Sequence, residues 1–309
     1  MNILITGAWQ GAEDNIEKII NMGHKTVFMQ YEKDVLPCEY SWVEGVVCNG
    51  LFLSHPIEKF INLKYIQLTS AGFDRVPMDY VKTHKIKINN ARGVYSIPMA
   101  EFAVAGVLQL YKHMNVLADN QKKHLWNKER NLLELFGKTV CIVGCGNVGM
   151  ECAKRFKAFG CTVIGLDIVA RQDEFFDDIF LISEMNRVFS ESDIVILTLP
   201  LSESTYHLIN KDKFDSMKNS AVLINIARGA VVDTDALADA LSSKQLSGAV
   251  LDVFEEEPLK KDSCLWETEN VIITPHNSFV GENNQERLRE TILKNIDIAT
   301  KRGIYEHSI

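Results

Sequence analysis

Three strand-like apolar runs in the second half of the chain each lead into residues that can do chemistry. Arg228 follows the first run, the glutamates at 255–257 follow the second, and His276 follows the third, directly behind a proline. Arginine offers a fixed cation with a planar fork that suits a carboxylate, and histidine can give or take a proton near pH 7. Because open α/β sheets bind ligands at the carboxyl ends of their strands, Arg228 and His276 are candidates for anion binding and proton transfer.

The three successive glutamates leave two interpretations open. Such a run after a strand is usually a solvated acidic loop, but one carboxylate could also support a histidine in proton transfer. Residue types alone do not decide which of the three would do so. We interpret the other histidines as incidental because they fall in helix-like or loop-like stretches or in the tail: His24, His55, His84, His113, His124, His207 and His307.

A glycine-rich turn follows another apolar run. Gly144, Gly146 and Gly149 form a G-x-G-x-x-G pattern between a strand-like stretch and a helix-like one. The first glycine permits a tight bend, the second lets the backbone approach a pyrophosphate, and the third lets the helix pack on the strand. The helix start at Asn147 and Val148 would offer N–H groups and the positive end of the helix dipole to phosphates. The pattern therefore predicts a dinucleotide site.

An acidic residue lies at the spacing that such a site requires. Asp167 comes 18 residues after Gly149, at the end of the next strand-like run. A carboxylate there can bind a ribose 2′-hydroxyl and would repel a 2′-phosphate, which favours NAD over NADP. Arg171 lies close enough to leave NADP open. Because a flavin or S-adenosylmethionine site can use a similar turn, the turn alone does not identify the reaction.

Strand-like and helix-like runs alternate along the chain, which predicts parallel sheets flanked by helices. In the first series the expected strands are Asn2–Thr6, Lys25–Met29, Gly45–Cys48, Tyr65–Leu68 and Ile86–Ile88. In the second series they are Thr139–Val143, Thr162–Leu166, Ile194–Leu199, Ala221–Ile226, Ala249–Val253 and Val271–Thr274. The near-continuous Val, Ile and Leu content of the second series is typical of strands covered on both faces.

Helical spacing separates the two series and closes the chain. We predict one long helix from Pro98 to about Asn120 and a final helix over Asn284–Arg302. The polar stretch Gln121–Leu135 follows the first of these, and Trp126 is interpreted as its anchor.

The break near Pro98 predicts two doubly wound α/β domains. Because chain termini often lie close together, we expect the final helix to return to the first domain. The predicted substrate domain is then 1–97 plus 281–309, and the predicted NAD-binding Rossmann domain is 98–280. Long helices at the boundary would act as a hinge.

Composition excludes several classes of protein. The chain has 309 residues, 46% of them apolar, and a net charge of −8. This apolar content argues against disorder, the acidic balance argues against non-specific nucleic-acid binding, and no apolar run reaches the ~20 residues of a membrane helix. The seven cysteines form no Cys-x-x-Cys pair, so we expect reduced thiols in a cytoplasmic protein and no metal site.

Taken together, these residues resemble the D-isomer-specific 2-hydroxyacid dehydrogenases. The resemblance extends from about Ser70 to Phe279 and rests on five motifs in order. They are the glycine turn with Asp167, Leu199-Pro200-Leu201 with Thr205, Asn225-Ile226-Ala227-Arg228-Gly229 with Val232-Asp233, Leu251-Asp252-Val253-Phe254 with Glu257-Pro258, and Thr274-Pro275-His276.

The resemblance implies a role for each of these motifs. His276 would be the general acid/base, Glu257 its carboxylate partner, and Arg228 the cation that binds the substrate carboxylate and polarises its carbonyl. Pro200 would lie in the cofactor site, and Asp252 would contact the nicotinamide carboxamide.

The first domain would complete the substrate site. There the family loop whose backbone N–H groups hold the carboxylate corresponds to Ser70, Ala71 and Gly72. The implied fold is a flavodoxin-like substrate domain with a Rossmann NAD domain. The implied activity is NAD-dependent interconversion of a 2-keto acid and a D-2-hydroxy acid, and the implied assembly is a homodimer. The polar stretch Gln121–Glu134 around Trp126 is either part of the dimer interface or a surface loop.

One departure, one exclusion and two alternatives accompany the resemblance. The sequence after His276 reads Asn277-Ser278, where the family often has Ile-Gly, and this could alter the substrate pocket. Glu257 argues against a formate dehydrogenase, in which an amide pairs with the histidine. A phosphorylated substrate of the 3-phosphoglycerate type stays open, as does an NAD-sensing protein of the corepressor kind that acts by binding a partner.

Overall fold

The computed structural model describes residues 1–301. Three predictions extend beyond that range: the end of the predicted domain segment 281–309, the last residue of the predicted final helix, Arg302, and the incidental His307. Within residues 1–301, no helix combines the length and the apolar character that crossing a membrane requires.

The chain forms two compact units. Of the described residues, the first contains Met1–Tyr95 and 281–301, and the second contains Ser96–Val280. Each unit is built on its own sheet.

The first unit contains a five-stranded parallel sheet. Its strands, in chain order, are β1 (Asn2–Thr6), β2 (Lys25–Met29), β3 (Gly45–Cys48), β4 (Tyr65–Leu68) and β5 (Lys87–Asn89). They lie in the order β2-β1-β3-β4-β5, which is the predicted flavodoxin-like arrangement. All residues of β3 and β4 are buried, as expected for strands covered on both faces.

The second unit contains a seven-stranded parallel sheet. Its strands are β6 (Thr139–Val143), β7 (Thr162–Asp167), β8 (Asp178–Leu181), β9 (Ile194–Leu197), β10 (Val222–Asn225), β11 (Gly248–Leu251) and β12 (Val271–Ile273). Their order is β12-β11-β10-β9-β6-β7-β8, and the direction of winding reverses between β6 and β9. This is the predicted Rossmann topology, whose ligand site lies at that reversal.

Helices cover the sheets. They are α1 (Glu13–Asn21), α2 (Met78–Thr83), α3 (Ser96–Tyr111), α4 (Met114–Lys122), α5 (Asn147–Ala158), α6 (Met185–Glu191), α7 (Lys211–Ser216), α8 (Thr234–Ser242) and α9 (Asn284–Lys301). Short 3₁₀ helices occupy Tyr40–Trp42, Leu51–Leu53, Ile57–Lys59, Ile182–Glu184, Gly229–Val231 and Cys264–Glu267. In α9, Leu288, Ile292 and Ile296 are buried in the first unit, as their spacing predicted.

Side chains on opposite faces of the second sheet enter two separate cores. On one face they pack with α3 and α5, and on the other with α6, α7 and α8. The first core includes Val140, Ile142, Ile224 and Val250, and the second includes Cys141, Val143, Leu223 and Leu251. The alternation explains why these strands are apolar along their whole length.

The predicted helix from Pro98 to Asn120 is wrong as a single element. Two helices, α3 and α4, are separated at His113, whose φ of 50° lies in the left-handed region and cannot continue a right-handed helix. Helix α3 begins at Ser96, so Pro98 lies in its first turn, where a missing N–H is tolerated.

Two further predictions need correction. Trp126, interpreted as the anchor of its stretch, is 95% exposed, so it does not anchor that stretch to the fold. Strand β8 was missed, because only one of its four residues is buried and it lies at the sheet edge. All seven cysteines are free thiols, and five of them are buried.

Asp193 joins two segments of the second unit just before β9. One carboxylate oxygen accepts a hydrogen bond from Thr139 N at 2.9 Å, and the other accepts one from Lys218 Nζ at 3.0 Å. Burial raises the pKa of this carboxyl, but the hydrogen bonds from Thr139 and Lys218 outweigh burial, so the pKa lies below its ordinary value.

We expect Asp193→Asn to lower the free energy of unfolding by about 1–2 kcal/mol at pH 7, because Thr139 N loses a charged acceptor. A carboxylate with a lowered pKa stabilises the fold above the pKa of the unfolded chain, and this contribution disappears as the pH falls through the folded value. The free energies of unfolding of the wild type and Asp193→Asn, measured by urea titration, should therefore differ less at about pH 3 than at pH 7. Asp262→Asn, in an exposed loop, is the control, and a pH-independent difference would contradict the prediction.

Candidate active site

Three neighbouring strands bring the predicted catalytic segments to one edge of the second sheet. Strands β10, β11 and β12 are adjacent and parallel, and their last residues are paired in register. Arg228, Asp252 and His276 follow these three strands, so all three lie beyond the same carboxyl edge. This is the edge at which open α/β sheets bind ligands.

His276 pairs with Glu257. The imidazole Nδ1 lies 2.8 Å from Glu257 Oε2, while Glu257 Oε1 accepts a hydrogen bond from Phe254 N at 3.1 Å. Both side chains are partly exposed, at 41% for the histidine and 37% for the glutamate. Because the pairing uses Nδ1, Nε2 is the ring nitrogen that can exchange a proton with a reactant. Of the three glutamates, the structure places Glu257 beside the histidine.

A buried carboxylate fixes the turn that presents His276. Asp252 is fully buried, and its Oδ1 accepts hydrogen bonds from Thr274 Oγ1 at 2.6 Å and Asn277 N at 2.7 Å. Its Oδ2 accepts one from Ser278 N at 2.9 Å, and its backbone oxygen accepts one from His276 N at 2.8 Å. These bonds hold His276 at a φ of 51°, in the left-handed region. The predicted contact of Asp252 with a carboxamide stays a prediction.

Asn225 shapes the turn that carries Arg228, a role that sequence reasoning missed. Its buried amide donates to Arg228 O at 3.1 Å and accepts from Ala227 N at 3.1 Å. The half-buried guanidinium of Arg228 donates to Ala227 O at 2.8 Å. The available signal was a polar residue ending an otherwise apolar strand, which calls for local hydrogen bonds.

The glycine turn has the geometry that its pattern predicted. Gly144 has a φ of 95°, and a Cβ there would lie 2.9 Å from Leu199 N. A Cβ at Gly149 would lie 2.2 Å from Gly144 O, so helix α5 approaches the turn as closely as only glycine allows. A Cβ at Gly146 would meet no protein atom within 4 Å. The turn is therefore tight on the protein side and open at Gly146, where α5 begins with Asn147 and Val148.

Asp167 lies beside this turn. Its Oδ2 accepts hydrogen bonds from Cys145 N at 3.2 Å and from Arg171 Nη1 at 3.0 Å. The other end of the Arg171 guanidinium donates to Cys145 O. Burial, together with the Asp167 charge, raises the pKa of the Cys145 thiol to about 12, so this cysteine stays a neutral packing group. Arg171, the cation that left NADP binding open, thus pairs with Asp167, the carboxylate that favours NAD.

Pro200 follows β9, which is the neighbour of β6 at the reversal of the sheet. Its carbonyl oxygen accepts a hydrogen bond from Thr205 Oγ1 at 2.8 Å. One residue earlier, the backbone of Leu199 packs against Gly144, and Thr198 Oγ1 donates to Gly144 O at 2.6 Å. The structure therefore places the Pro200 segment next to the glycine turn.

The predicted substrate loop lies in the first unit, after β4. Ser70 Oγ donates to Gly72 O at 3.1 Å, and Asn90 Nδ2 donates to Ala71 O at 2.5 Å. Ala91 N also donates to Ser70 O at 2.9 Å. The segment after β5 thus fixes the shape of this loop, and the assignment of Ser70, Ala71 and Gly72 to substrate binding stays a prediction.

The second unit fits a dinucleotide. Gly146 leaves open space at the N-terminus of a twelve-residue helix, where N–H groups and the helix dipole suit a pyrophosphate. Asp167 offers a carboxylate for ribose hydroxyls at the end of the neighbouring strand. Among residues 1–301, no group of three or more His, Cys, Asp or Glu side chains is arranged to hold a metal ion.

Comparison with known sequences agrees with this geometry. Residues 104–278 match the sequence profile described as D-isomer specific 2-hydroxyacid dehydrogenase, NAD binding domain. The match covers more than half of the chain and includes the glycine turn and His276.

Individual relatives extend the similarity over most of the chain. The glyoxylate reductase of Thermofilum pendens is 35% identical over 248 residues, which cover 78% of this chain and 73% of the relative. The hydroxypyruvate reductase of Thermotoga maritima is 34% identical over 236 residues, 75% of each chain. The crystal structure of a D-lactate dehydrogenase from Aquifex aeolicus, complexed with NAD and lactic acid, superposes with a TM-score of 0.81 and 30% identity, covering 97% of this chain and 96% of that one.

Two glycine variants should separate folding from dinucleotide binding. Gly149→Ala should lower the urea midpoint, because its methyl group would overlap Gly144 O. Gly146→Ala should unfold like the wild type yet bind NADH at least about tenfold more weakly, because its methyl group would occupy the pyrophosphate space. Fluorescence titration with NADH measures the affinity. Wild-type affinity in Gly146→Ala would show that the dinucleotide does not use this turn.

Proposed function

Because this chain belongs to the D-isomer-specific 2-hydroxyacid dehydrogenases, an NAD-dependent enzyme family, we propose that it reduces a short 2-keto acid to the 2-hydroxy acid with NADH. The observation that carries the proposal is the 2.8 Å pairing of His276 with Glu257 at the sheet edge that Arg228 also follows. Relatives named glyoxylate reductase and hydroxypyruvate reductase support a substrate of that size. Interconversion with a D-2-hydroxy acid is the family reaction.

In the proposed reaction His276 is the proton donor. Glu257 holds Nδ1, which directs Nε2 toward the carbonyl oxygen of the substrate. As the carbonyl is reduced, His276 delivers its proton to that oxygen and becomes neutral. In the oxidation direction the neutral ring accepts the proton from the hydroxyl group.

Arg228 binds the substrate carboxylate and stabilises the negative charge that grows on the carbonyl oxygen. Its planar guanidinium suits both tasks, because it stays charged and can donate two parallel hydrogen bonds. The Asn225 amide holds the backbone of Arg228 in place while the substrate binds.

The remaining proposed roles concern the cofactor and the substrate loop. Bound NADH supplies the hydride. Gly144, Gly146 and Gly149 would hold its pyrophosphate with the N-terminus of α5, Asp167 its ribose, and Pro200 and Asp252 would line the nicotinamide end. Binding of the carboxylate by Ser70, Ala71 and Gly72, the homodimer and the cytoplasmic location stay predictions.

Replacing His276 tests the proposal. With glyoxylate or hydroxypyruvate and NADH, His276→Ala should lower kcat by about 10³-fold, because it removes the proton donor. Its affinity for NADH should stay within about threefold, and His84→Ala, an exposed histidine of the first unit, should behave like the wild type.

A keto-acid panel separates the alternatives. It should include hydroxypyruvate together with its phosphorylated analogue. A preference for the phosphorylated compound would identify the 3-phosphoglycerate type, and a chain that binds NADH but turns over no keto acid would support the corepressor alternative. Full activity in His276→Ala would refute the catalytic assignment.

Asp167 should determine the choice between NADH and NADPH. In Asp167→Ala the repulsion of a 2′-phosphate disappears and Arg171 loses its carboxylate partner, so Arg171 can bind the phosphate instead. We expect the ratio of kcat/KM for NADPH over NADH to rise by at least about tenfold. The double variant with Arg171→Ala is the control and should lose most of this gain. An unchanged ratio in Asp167→Ala would place the 2′-position elsewhere.

A further inference from the structure

Glu255, the first residue of the acidic run, has partners that distinguish it from the other two glutamates. Its Oε1 accepts hydrogen bonds from Thr234 Oγ1 at 2.5 Å and from Thr234 N at 3.2 Å. Its Oε2 lies 2.9 Å from His207 Nε2. In contrast, Glu256 pairs with Lys260, four residues along the same loop, and both of those side chains are about two-thirds exposed.

These contacts connect three segments that follow three different strands. His207 lies in the loop after β9, Thr234 begins helix α8 shortly after Arg228, and Glu255 itself follows β11. The first two segments are also joined by backbone hydrogen bonds, from His207 N to Ala230 O at 2.8 Å and from Ile209 N to Val231 O at 3.0 Å. Glu255 adds the third segment through its side chain.

The backbone beside Glu255 contacts both halves of the proposed catalytic machinery. Phe254 N donates to Glu257 Oε1 at 3.1 Å, and the other oxygen of Glu257 meets His276. The carbonyl carbon of Phe254 would lie 1.8 Å from a Cβ at Gly229, the residue after Arg228. Any shift of residues 254–255 would therefore move the backbone that contacts Glu257 and Gly229.

The local electrostatics favour an ionised Glu255. Burial raises the pKa of this carboxyl, but the hydrogen bonds from Thr234 and His207 outweigh it, and the net pKa is below the ordinary value. Thr234 is the first residue of α8, where N–H groups and the positive end of the helix dipole stabilise an anion. The carboxylate is thus bound from two sides at neutral pH.

We propose that Glu255 is a positioning residue for the reaction: by binding Thr234 and His207, its carboxylate holds the loop in which Phe254 orients Glu257 against His276. This inference rests on the proposed function, because it takes Glu257 and His276 to be the proton-transfer pair. His207, interpreted from the sequence as incidental, thereby gains a supporting role.

Substitution of Glu255 tests the inference. Glu255→Ala should lower kcat for keto-acid reduction by about ten- to a hundredfold, because small displacements of catalytic groups have effects of that size. The affinity for NADH should change by less than about twofold. Glu255→Gln should retain at least about a third of kcat, since its amide can accept from Thr234 and donate to His207. Glu256→Ala is the matched control and should equal the wild type.

A double-mutant cycle distinguishes positioning from a general loss of stability. If Glu255 acts through Glu257, the effect of Glu255→Ala on kcat should depend on Glu257. In a Glu257→Gln background, adding Glu255→Ala should lower kcat by less than about threefold, whereas in the wild type it should lower kcat by at least about tenfold. Equal losses in both backgrounds would overturn the inference. So would a wild-type kcat in Glu255→Ala, or a loss in Glu256→Ala as large as that in Glu255→Ala.

Hydrogen exchange gives a readout that does not depend on turnover. The amide of Phe254 is held by Glu257, so a peptide covering residues 253–260 should exchange at least about tenfold faster in Glu255→Ala than in the wild type or Glu256→Ala. Unchanged exchange would overturn the inference even if keto acids are reduced. Faster exchange in a chain that reduces no keto acid, or in which His276→Ala stays active, would instead place the failure in the proposed function.

Discussion

The candidate site depends on the fully buried carboxylate of Asp252. A charge in that position is costly unless hydrogen bonds replace its water, and here Thr274 Oγ1, Asn277 N and Ser278 N provide them. All three donors belong to the turn that carries His276. Because the Asp252 oxygens need these hydrogen bonds, the turn is held in one conformation. In it, His276 has a positive φ, which residues other than glycine rarely adopt without such contacts.

The three neighbouring glutamates make different contacts. Glu257 meets the imidazole directly, Glu255 binds the start of α8 and His207, and Glu256 pairs with Lys260. Three identical side chains in succession thus have different surroundings, because successive residues of an irregular loop point in different directions. Glu256 fits the solvated acidic loop that the sequence left open, whereas Glu257 lies beside a histidine, as the alternative interpretation requires.

The sequence was most informative where apolar pattern alone determines structure. Fully buried strands such as β9 and β10 need continuous apolar residues, and the turn at Gly144 has a φ that favours glycine, so both could be predicted. The break at His113 and the short edge strand β8 could not, because neither interrupts or extends an apolar run clearly. The hydrogen-bond partners of Glu255 and Asn225 could not be predicted either, since only the folded loops bring these groups together.

Because the chain has a net charge of −8, its overall charge does not attract anions, and groups at the site must do so. A keto acid and a dinucleotide are both anions, so the summed field of the chain opposes their approach, and at physiological ionic strength that field fades within about 8 Å. Attraction must come from groups that touch the ligand. In the proposed site these would be Arg228 and the N-terminus of α5, each located just beyond the carboxyl edge of the second sheet. Excess carboxylates elsewhere on the surface are compatible with binding, provided that those next to the site, such as Asp252 and Glu255, have their oxygens occupied by hydrogen-bond donors of the protein.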